Sequence, residues 1–596
     1  MNPNMSRPLE DYGLIGDGQS AALVSSDASI DWLCWPRFDD DACFAALLGR
    51  KEHGYWSIMP VAEPGELNRR YCDDTLVLET DFHTQGGAAR VIDFMPLRVY
   101  FPSLVRIVVG LRGTVAMRST LRLRFDYGSM PPWLSSEAGG VVARVGPDLV
   151  AIRAPMQQII RDDAIEAQFD IGAGERLAFV MSYGPSHLPP PEPVDAEAAL
   201  NATVRFWRDW IGRFDDSRTA WPNEVRRSLL TLKALCHGPS GGLIAAPATS
   251  LPEVPGGDMN WDYRYCWLRD ASFALGALLR AGFHEEALGW RDWLLRAIAG
   301  SPEHARIMYR VDGSRHVEER VIGSLPGYRS AKPVRVGNAA STQRQIDALG
   351  EVIQCLALAR RGGIPPSQRE AEVATRIVLH LEKTWQTEGS GVWESRGAPR
   401  QYTYSKVMVW AALNSFIATV ADAATLDAAT CARLMALRNA VRQEVLCDGW
   451  SDGLGSFVQT YGGQAIDASL LRLPAVGFIA ATEPRMASTI ARVERELSEG
   501  GLIRRLKAPV DGPAEGSFLA CSCWLADCMS MQGRHDEAHA QLERVLAVRN
   551  DLGLLAEEYN VPGRHLSGNF PQALSHLALV DTALRLAGAA VEKQGG

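Results

Sequence analysis

The feature that most constrains this chain is an alternation in the spacing of its helical segments. From Asn223 onward the 3.6-residue recurrence of apolar side chains predicts twelve helices, over 223–237, 269–282, 284–299, 341–361, 366–384, 403–421, 428–446, 466–481, 484–499, 515–532, 534–549 and 571–588. The connections before the second, fourth, sixth, eighth, tenth and twelfth are long, and the intervening ones are a few residues. Short connections force antiparallel neighbours. If direction alternates throughout, every long connection emerges at one end, which becomes the loop-rich face where function is expected. Twelve alternating helices close naturally into two concentric rings of six, an (α/α)6 barrel. An open superhelix shares the pattern, but no repeat of fixed period marks a solenoid.

Ahead of the helices, residues 1–190 alternate apolar and polar side chains in short runs, over 76–84, 88–96, 104–113, 119–128, 140–145, 149–155 and 176–184. Gly, Pro or Asp stands between them, and the reading is an N-terminal antiparallel β-sandwich. The prolines of HLPPPEP (187–193) end it, since consecutive prolines continue neither strand nor helix. Residues 191–220 then read as a linker with one helix, capped by Asp195. Residues 221–596 form the helical domain. A length of 596 exceeds one ordinary core, which agrees with this division.

Composition enters mainly as exclusion. Hydrophobic residues at 46% and charged residues at 22% exclude a disordered or fibrous chain. The net charge of −9 is spread without a Lys/Arg stripe, so nucleic acid is not an expected partner. No run reaches membrane-span length, and the N-terminus lacks the charged start and apolar run of a signal peptide. A cytoplasmic protein without a membrane partner is the expectation, with homo-oligomers left open. Eleven cysteines, an odd number without paired spacing, read as reduced. Cys521, Cys523 and Cys528 lie in an apolar helical run with no histidine and read as core rather than as a zinc set. No metal or cofactor is expected.

Three long connections carry the chemistry. The first ends in Asn260-Trp261-Asp262-Tyr263-Arg264-Tyr265-Cys266-Trp267-Leu268-Arg269-Asp270. Asp270 there either caps the next helix or joins Arg269 in pairing with sugar hydroxyls, beside aromatic faces that stack on a sugar ring. The third contains Gly391-Val392-Trp393-Glu394-Ser395-Arg396. A carboxylate beside a tryptophan can be desolvated, which keeps it protonated as a general acid requires. The sixth contains Leu555-Ala556-Glu557-Glu558-Tyr559-Asn560, and paired glutamates alone read as a solvated face. Two carboxylates across one rim are what glycoside hydrolysis needs, about 6.5–9.5 Å apart for inversion.

WDYRYCWLRD (261–270), GVWESR (391–396) with the following TYSKVMVWAAL, and LLAEEYN (554–560) followed by GNFPQALSH resemble the motifs of glycoside hydrolase family 15 in its bacterial trehalase/glucoamylase branch. The opening DYGLIGDGQSAALVSSDASIDWLCWPRFD and PVRVGNAA extend the resemblance over nearly the whole chain. It implies an inverting, exo-acting hydrolase of a small α-glucoside. Matched by motif, Glu394 is implied as general acid and Glu557 as general base. Tyr263, Trp267, Arg269 and Asp270 are implied to hold the terminal glucose, with Trp393 lining the acid's surroundings and Arg505, or its neighbour Arg504, on the fifth long connection. Trehalose is the leading substrate, with maltose- or isomaltose-type oligosaccharides as runner-up. A sugar-binding protein that has lost catalysis, or a phosphorolytic enzyme, are the other readings. The segment Val321–Ala331 departs from the branch and is expected to shape the leaving-group side of the pocket.

Overall fold

The computed structural model describes residues 6–594 apart from 138, 301, 421–425 and 508–513. Between Tyr12 and Pro185 it contains an antiparallel array of fifteen strands. The spine is Ser103–Arg122, a single strand made from two of the expected runs. Its first half pairs with Gly87–Phe94 and Arg176–Pro185, its second with Tyr55–Pro60 and Ala164–Gly172. The change of neighbours falls at glycines. A Cβ on Gly110 would meet the Gly172 carbonyl at 1.9 Å, and Gly113 has a φ of +62°. Only glycine allows both the close approach and that backbone angle.

A linking helix α1 (Ala196–Ile211) follows, its start capped by the Asp195 carboxylate accepting from the N–H groups of Glu197 and Ala198. Twelve helices come next among the described residues. They are α2 (Pro222–Ala234), α3 (Ala271–Ala281), α4 (His284–Ala297), α5 (Ile346–Arg361), α6 (Gln368–Thr384) and α7 (Thr403–Ser415). Then come α8 (Ala428–Asp448), α9 (468–475, a 3-10 turn running into one α turn), α10 (Pro484–Glu496), α11 (Leu519–Met531), α12 (His535–Leu546) and α13 (Ala573–Gln594). Residue 421, the last of the expected 403–421 helix, lies outside the described residues.

Two kinds of helix alternate, and sequence explains which is which. Odd-numbered helices from α3 on have little polar face: every residue over 271–278 and 403–413 is buried. They pack in cyclic order, α3 on α5, α5 on α7, α7 on α9, α9 on α11, α11 on α13, and α13 back on α3. Even-numbered helices carry one apolar stripe and pack against an odd neighbour. In α10 that stripe is Met486, Thr489, Ile490 and Val493, the i, i+3, i+4, i+7 face of an amphipathic helix. No helix among the described residues is long and apolar enough to cross a membrane.

The 321–331 segment departs from expectation. None of its residues lines the cavity described below. It docks on the strand region instead: the Gly327 N–H donates to the Leu48 carbonyl at 2.9 Å, and the Tyr328 hydroxyl to the Arg7 carbonyl at 2.7 Å. Leu325 and Tyr328 are buried there, so these two side chains fill an interface rather than shape a pocket.

Candidate active site

A cavity of about 320 Å³ opens where the long connections converge. Five of the six long connections line it, over 235–270, 298–345, 385–402, 497–518 and 547–572, as do the first two turns of α3, α7, α9, α11 and α13. Tyr263, Arg269, Trp393, Glu394, Arg505 and Glu557 all reach it. Trp267 and Asp270 stand behind it and act on residues that do.

Residues 261–264 run extended, and their side chains alternate in direction as an extended backbone requires. Trp261 and Tyr263 face the cavity. Asp262 and Arg264 face the other way as a fully buried ion pair, 2.7 Å apart. Arg264 also donates to the Tyr127 hydroxyl at 2.8 Å and the Asp40 carbonyl at 2.7 Å, which fixes the segment to the strand region. Cys266–Trp267 then pairs with Met308–Tyr309, and α3 begins at Ala271. Asp270 makes no capping hydrogen bond. Its carboxylate instead holds the Arg269 Nε at 2.9 Å, and Arg269 Nη1 reaches Glu394 Oε1 at 3.0 Å.

Glu394 sits at a φ of +57°, a region that costs a non-glycine residue on the order of 1–3 kcal/mol and recurs at functional sites. The turn that imposes it is closed by the Glu394 N–H on the Gly391 carbonyl and the Ser395 N–H on the Ser390 carbonyl, both at 3.1 Å. Trp393 anchors it from inside, donating Nε1–H to Asp467 at 2.9 Å and packing on Trp524 and Phe518. Glu394 Oε1 accepts from Trp267 Nε1 at 2.6 Å as well as from Arg269. Burial lifts the carboxyl above its ordinary pKa, against the opposing pull of Arg269 and Trp267.

Glu557 is held from both ends of its own backbone. Its N–H donates to the Asn569 carbonyl at 3.2 Å, and its carbonyl accepts from Leu519 at 3.1 Å. Oε1 accepts the Tyr263 hydroxyl at 2.7 Å, and Oε2 the Asn569 N–H at 3.4 Å. Burial raises its pKa, while Arg505, Tyr263 and Asn569 favour the ionised form. Two residues upstream, the Leu555 N–H donates to Nε2 of His576 on α13 at 3.2 Å, and His576 Nδ1 lies 3.0 Å from the Ser228 hydroxyl. Burial pushes His576 down to about 3, so the ring stays neutral and braces the connection that carries Glu557.

Of the two adjacent arginines, Arg505 reaches the cavity, while Arg504 pairs with Glu499 outside it. Arg505 gathers three carboxylates: it bonds Glu253, holds Glu515 at 2.6 Å, and lies 3.9 Å from Glu558. Oxygens of these three lie within 4.8 Å of one another, the one group among the described residues with the spacing of a metal site. The guanidinium already supplies the positive charge at that spot. Burial and mutual repulsion push Glu253 and Glu558 well above the ordinary carboxyl range. Cys521, Cys523 and Cys528 are buried in α11 with free thiols.

Sequence reasoning passes over several lining residues. Glu253 and Glu515 belong to no recognisable motif. Trp524 hides in the cysteine-bearing apolar run. Arg472 does carry a signal: it is the lone charge in the apolar stretch Leu470–Phe478. Its guanidinium lies 4.3 Å from the Phe273 ring centre.

Comparison with known proteins decides the family. The model for glycosyl hydrolases family 15 matches residues 223–584, more than half of the chain. The chain belongs to glycosyl hydrolase family 15. Residues 2–189 match a second model, described as trehalase-like, N-terminal. This family 15 glycoside hydrolase is 33% identical to a protein named trehalase from Thermoplasma volcanium, covering 97% of this chain and 93% of the relative. It is equally identical to a trehalase from Mycobacterium tuberculosis, over 97% and 89% of the two chains. A solved bacterial glucoamylase complexed with acarbose shares its fold, with a TM-score of 0.75 at 11% identity over 98% of this chain and 95% of the other.

Proposed function

We propose that this chain hydrolyses trehalose with inversion at the attacked carbon, with Glu394 as general acid and Glu557 as general base. The observation that carries the reading is that two carboxylates from different long connections, Glu557 buried and Glu394 largely so, face one small cavity, each held by its own donors. Glu394 Oε1 is engaged by Trp267 and Arg269, which leaves Oε2 to pass a proton to the departing glycosidic oxygen. Glu557 Oε1 is engaged by Tyr263, and Oε2, whose one contact is the long 3.4 Å one from the Asn569 N–H, takes the proton of the attacking water. Arg269, positioned by Asp270, and Arg505 offer donors to the hydroxyls of the terminal glucose, and Trp393 a ring face. A volume at the low end of the roughly 300–1,000 Å³ of small-molecule sites suits a disaccharide better than a polymer. The relatives named trehalases support the substrate.

The architecture that carries this site is an antiparallel β-sandwich (1–190), a linker (191–220) and an (α/α)6 barrel (221–596). The cyclic order of the six apolar helices supports closure of the barrel.

The test is a panel of trehalose, maltose and isomaltose, with the anomers of released glucose followed by NMR before mutarotation. Inverting hydrolysis of trehalose yields α- and β-glucose in equal amounts, whereas α-glucose alone refutes inversion. Preferential cleavage of maltose or isomaltose moves the chain to the runner-up substrates. Glu394→Gln and Glu557→Gln each lower kcat by about 10²–10⁴-fold, the usual contribution of a general acid or base. Full activity in either refutes its assignment.

A further inference from the structure

A second cavity, of about 700 Å³, lies on the other side of the Glu394 connection and shares no lining residue with the first. Three arginines line it. Neighbouring arginines are satisfied by carboxylates: Arg291 by Asp292 and Glu370, Arg310 by Asp39 and Asp40, Arg335 by Glu319. Arg306, Arg315 and Arg344 all line the second cavity, and among the described residues none of their guanidinium groups has an ion-pair or hydrogen-bond partner. Two acidic residues also line it, Glu303 and Glu388; both are exposed, and Glu303 lies 3.8 Å from His380. Three guanidinium groups without ion-pair partners line one cavity, and arginine binds a phosphoryl group through paired N–H donors.

The rest of the wall mixes hydroxyl and amide groups with the His304 and His380 rings and apolar side chains, Leu268, Ile307, Ile346 and Leu349 among them. Ser341, Thr342, Gln345, Thr384 and Thr387 line it, and no Phe, Tyr or Trp does. The hydroxyl and amide groups of this surface can pair with the hydroxyls of a sugar. We propose that this cavity binds a phosphorylated sugar, with Arg306, Arg315 and Arg344 on the phosphoryl group and the Ser/Thr/Gln wall on the sugar hydroxyls.

Its position ties it to the general-acid turn. Gln343, from the same wall, donates Nε2–H to the backbone carbonyls of Glu394 and Ser395 at 3.1 and 3.2 Å. The Ser390 N–H donates to the Arg344 carbonyl at 3.1 Å, and a Cβ on Gly389 would lie only 2.8 Å from that carbonyl. A ligand gripping Arg344 therefore bears on the backbone that holds Glu394 at its left-handed φ, and its binding changes the hydrolytic rate.

Calorimetry on the full chain with glucose 6-phosphate, inorganic phosphate and glucose tests the site without depending on which α-glucoside is cleaved. Glucose 6-phosphate should bind more tightly than inorganic phosphate. Arg306→Gln with Arg344→Gln should weaken it about 100-fold, roughly 10-fold for each charge-assisted hydrogen bond removed. Single Arg344→Gln, at an exposed position, should weaken it about 10-fold and guards against misfolding of the double variant. Saturating glucose 6-phosphate should shift kcat for α-glucoside hydrolysis in the parent and not in the double variant, each compared with its own ligand-free rate. No binding of glucose 6-phosphate, or undiminished binding in the variants, overturns the site. Equal affinity for inorganic phosphate overturns recognition of the sugar, and binding without a change in kcat overturns the link to the acid turn.

Discussion

Replacing Tyr263 by Phe removes one hydroxyl and tests the assignment of Glu557 with little other disturbance. The phenol donates to Glu557 Oε1 at 2.7 Å, and burial among carboxylates keeps its own pKa well above 10, so it stays a donor across the working range. The ring keeps its edge contact with Trp267, 5.2 Å between centres. A hydrogen bond to a charged acceptor is worth about 1.5–3 kcal/mol, and one pKa unit corresponds to about 1.4 kcal/mol. The donor stabilises the ionised carboxylate, so its loss raises the pKa of Glu557 by about 1–2 units. A general base works only when ionised, so activity is lost as pH falls through that pKa. The acid limb of the kcat/KM–pH profile should therefore move up by about 1–2 units, with the rate on the plateau little changed. The profile, measured on trehalose at constant ionic strength, decides the matter. An unmoved acid limb refutes the role of Glu557, and a shift confined to the alkaline limb assigns the base to another group.

Trp267→Phe is the mirror experiment: it removes the Nε1–H donor to Glu394, raises that carboxyl, and moves the alkaline limb upward by about one unit in the same profile while the acid limb stays in place. Gly568→Ala places a Cβ at a φ of +73° and 2.6 Å from Glu557 Oε2, so kcat should fall at least about 10-fold, with about 1–3 kcal/mol lost in denaturant unfolding. His576 has a folded pKa of about 3 against an ordinary 6.5. The unfolded chain thus binds the proton first, and stability present above pH 6.5 is lost as pH falls toward 3. Between pH 7 and 4.5 the parent should lose about 2.5 kcal/mol more than His576→Gln, read from denaturant midpoints, and equal losses would contradict a buried neutral ring.

Helix placement is largely legible because burial writes itself into periodicity: the all-apolar run of α7 and the single stripe of α10 differ on sight. Strands are less so. The Ser103–Arg122 strand reads as two runs because Gly113 looks like a turn, whereas it serves a close crossing with Gly87 that only pairing across the sheet reveals. At the site, motifs place Glu394 and Glu557, but nothing local forecasts that Asp270 serves Arg269 rather than capping α3. Glu253 lies far in sequence from Arg505, and only the fold makes them partners. The 321–331 segment misleads because Leu325 and Tyr328 carry no mark of which surface they will cover.

The two-faced segment at 261–264 bears on how this molecule can be divided or recombined. One face builds the sugar pocket while the other buries a guanidinium whose acceptors, the Tyr127 hydroxyl and the Asp40 carbonyl, belong to the strand region. Cut at the proline-rich junction, the helical part would keep Asp262 for Arg264 but strand the rest of that charge without acceptors. A chimera made by exchanging N-terminal halves between relatives would meet the same deficit unless residues 40 and 127 travelled with a matching arginine. The strand region is therefore part of the pocket's foundations, and the two halves are bound to vary together.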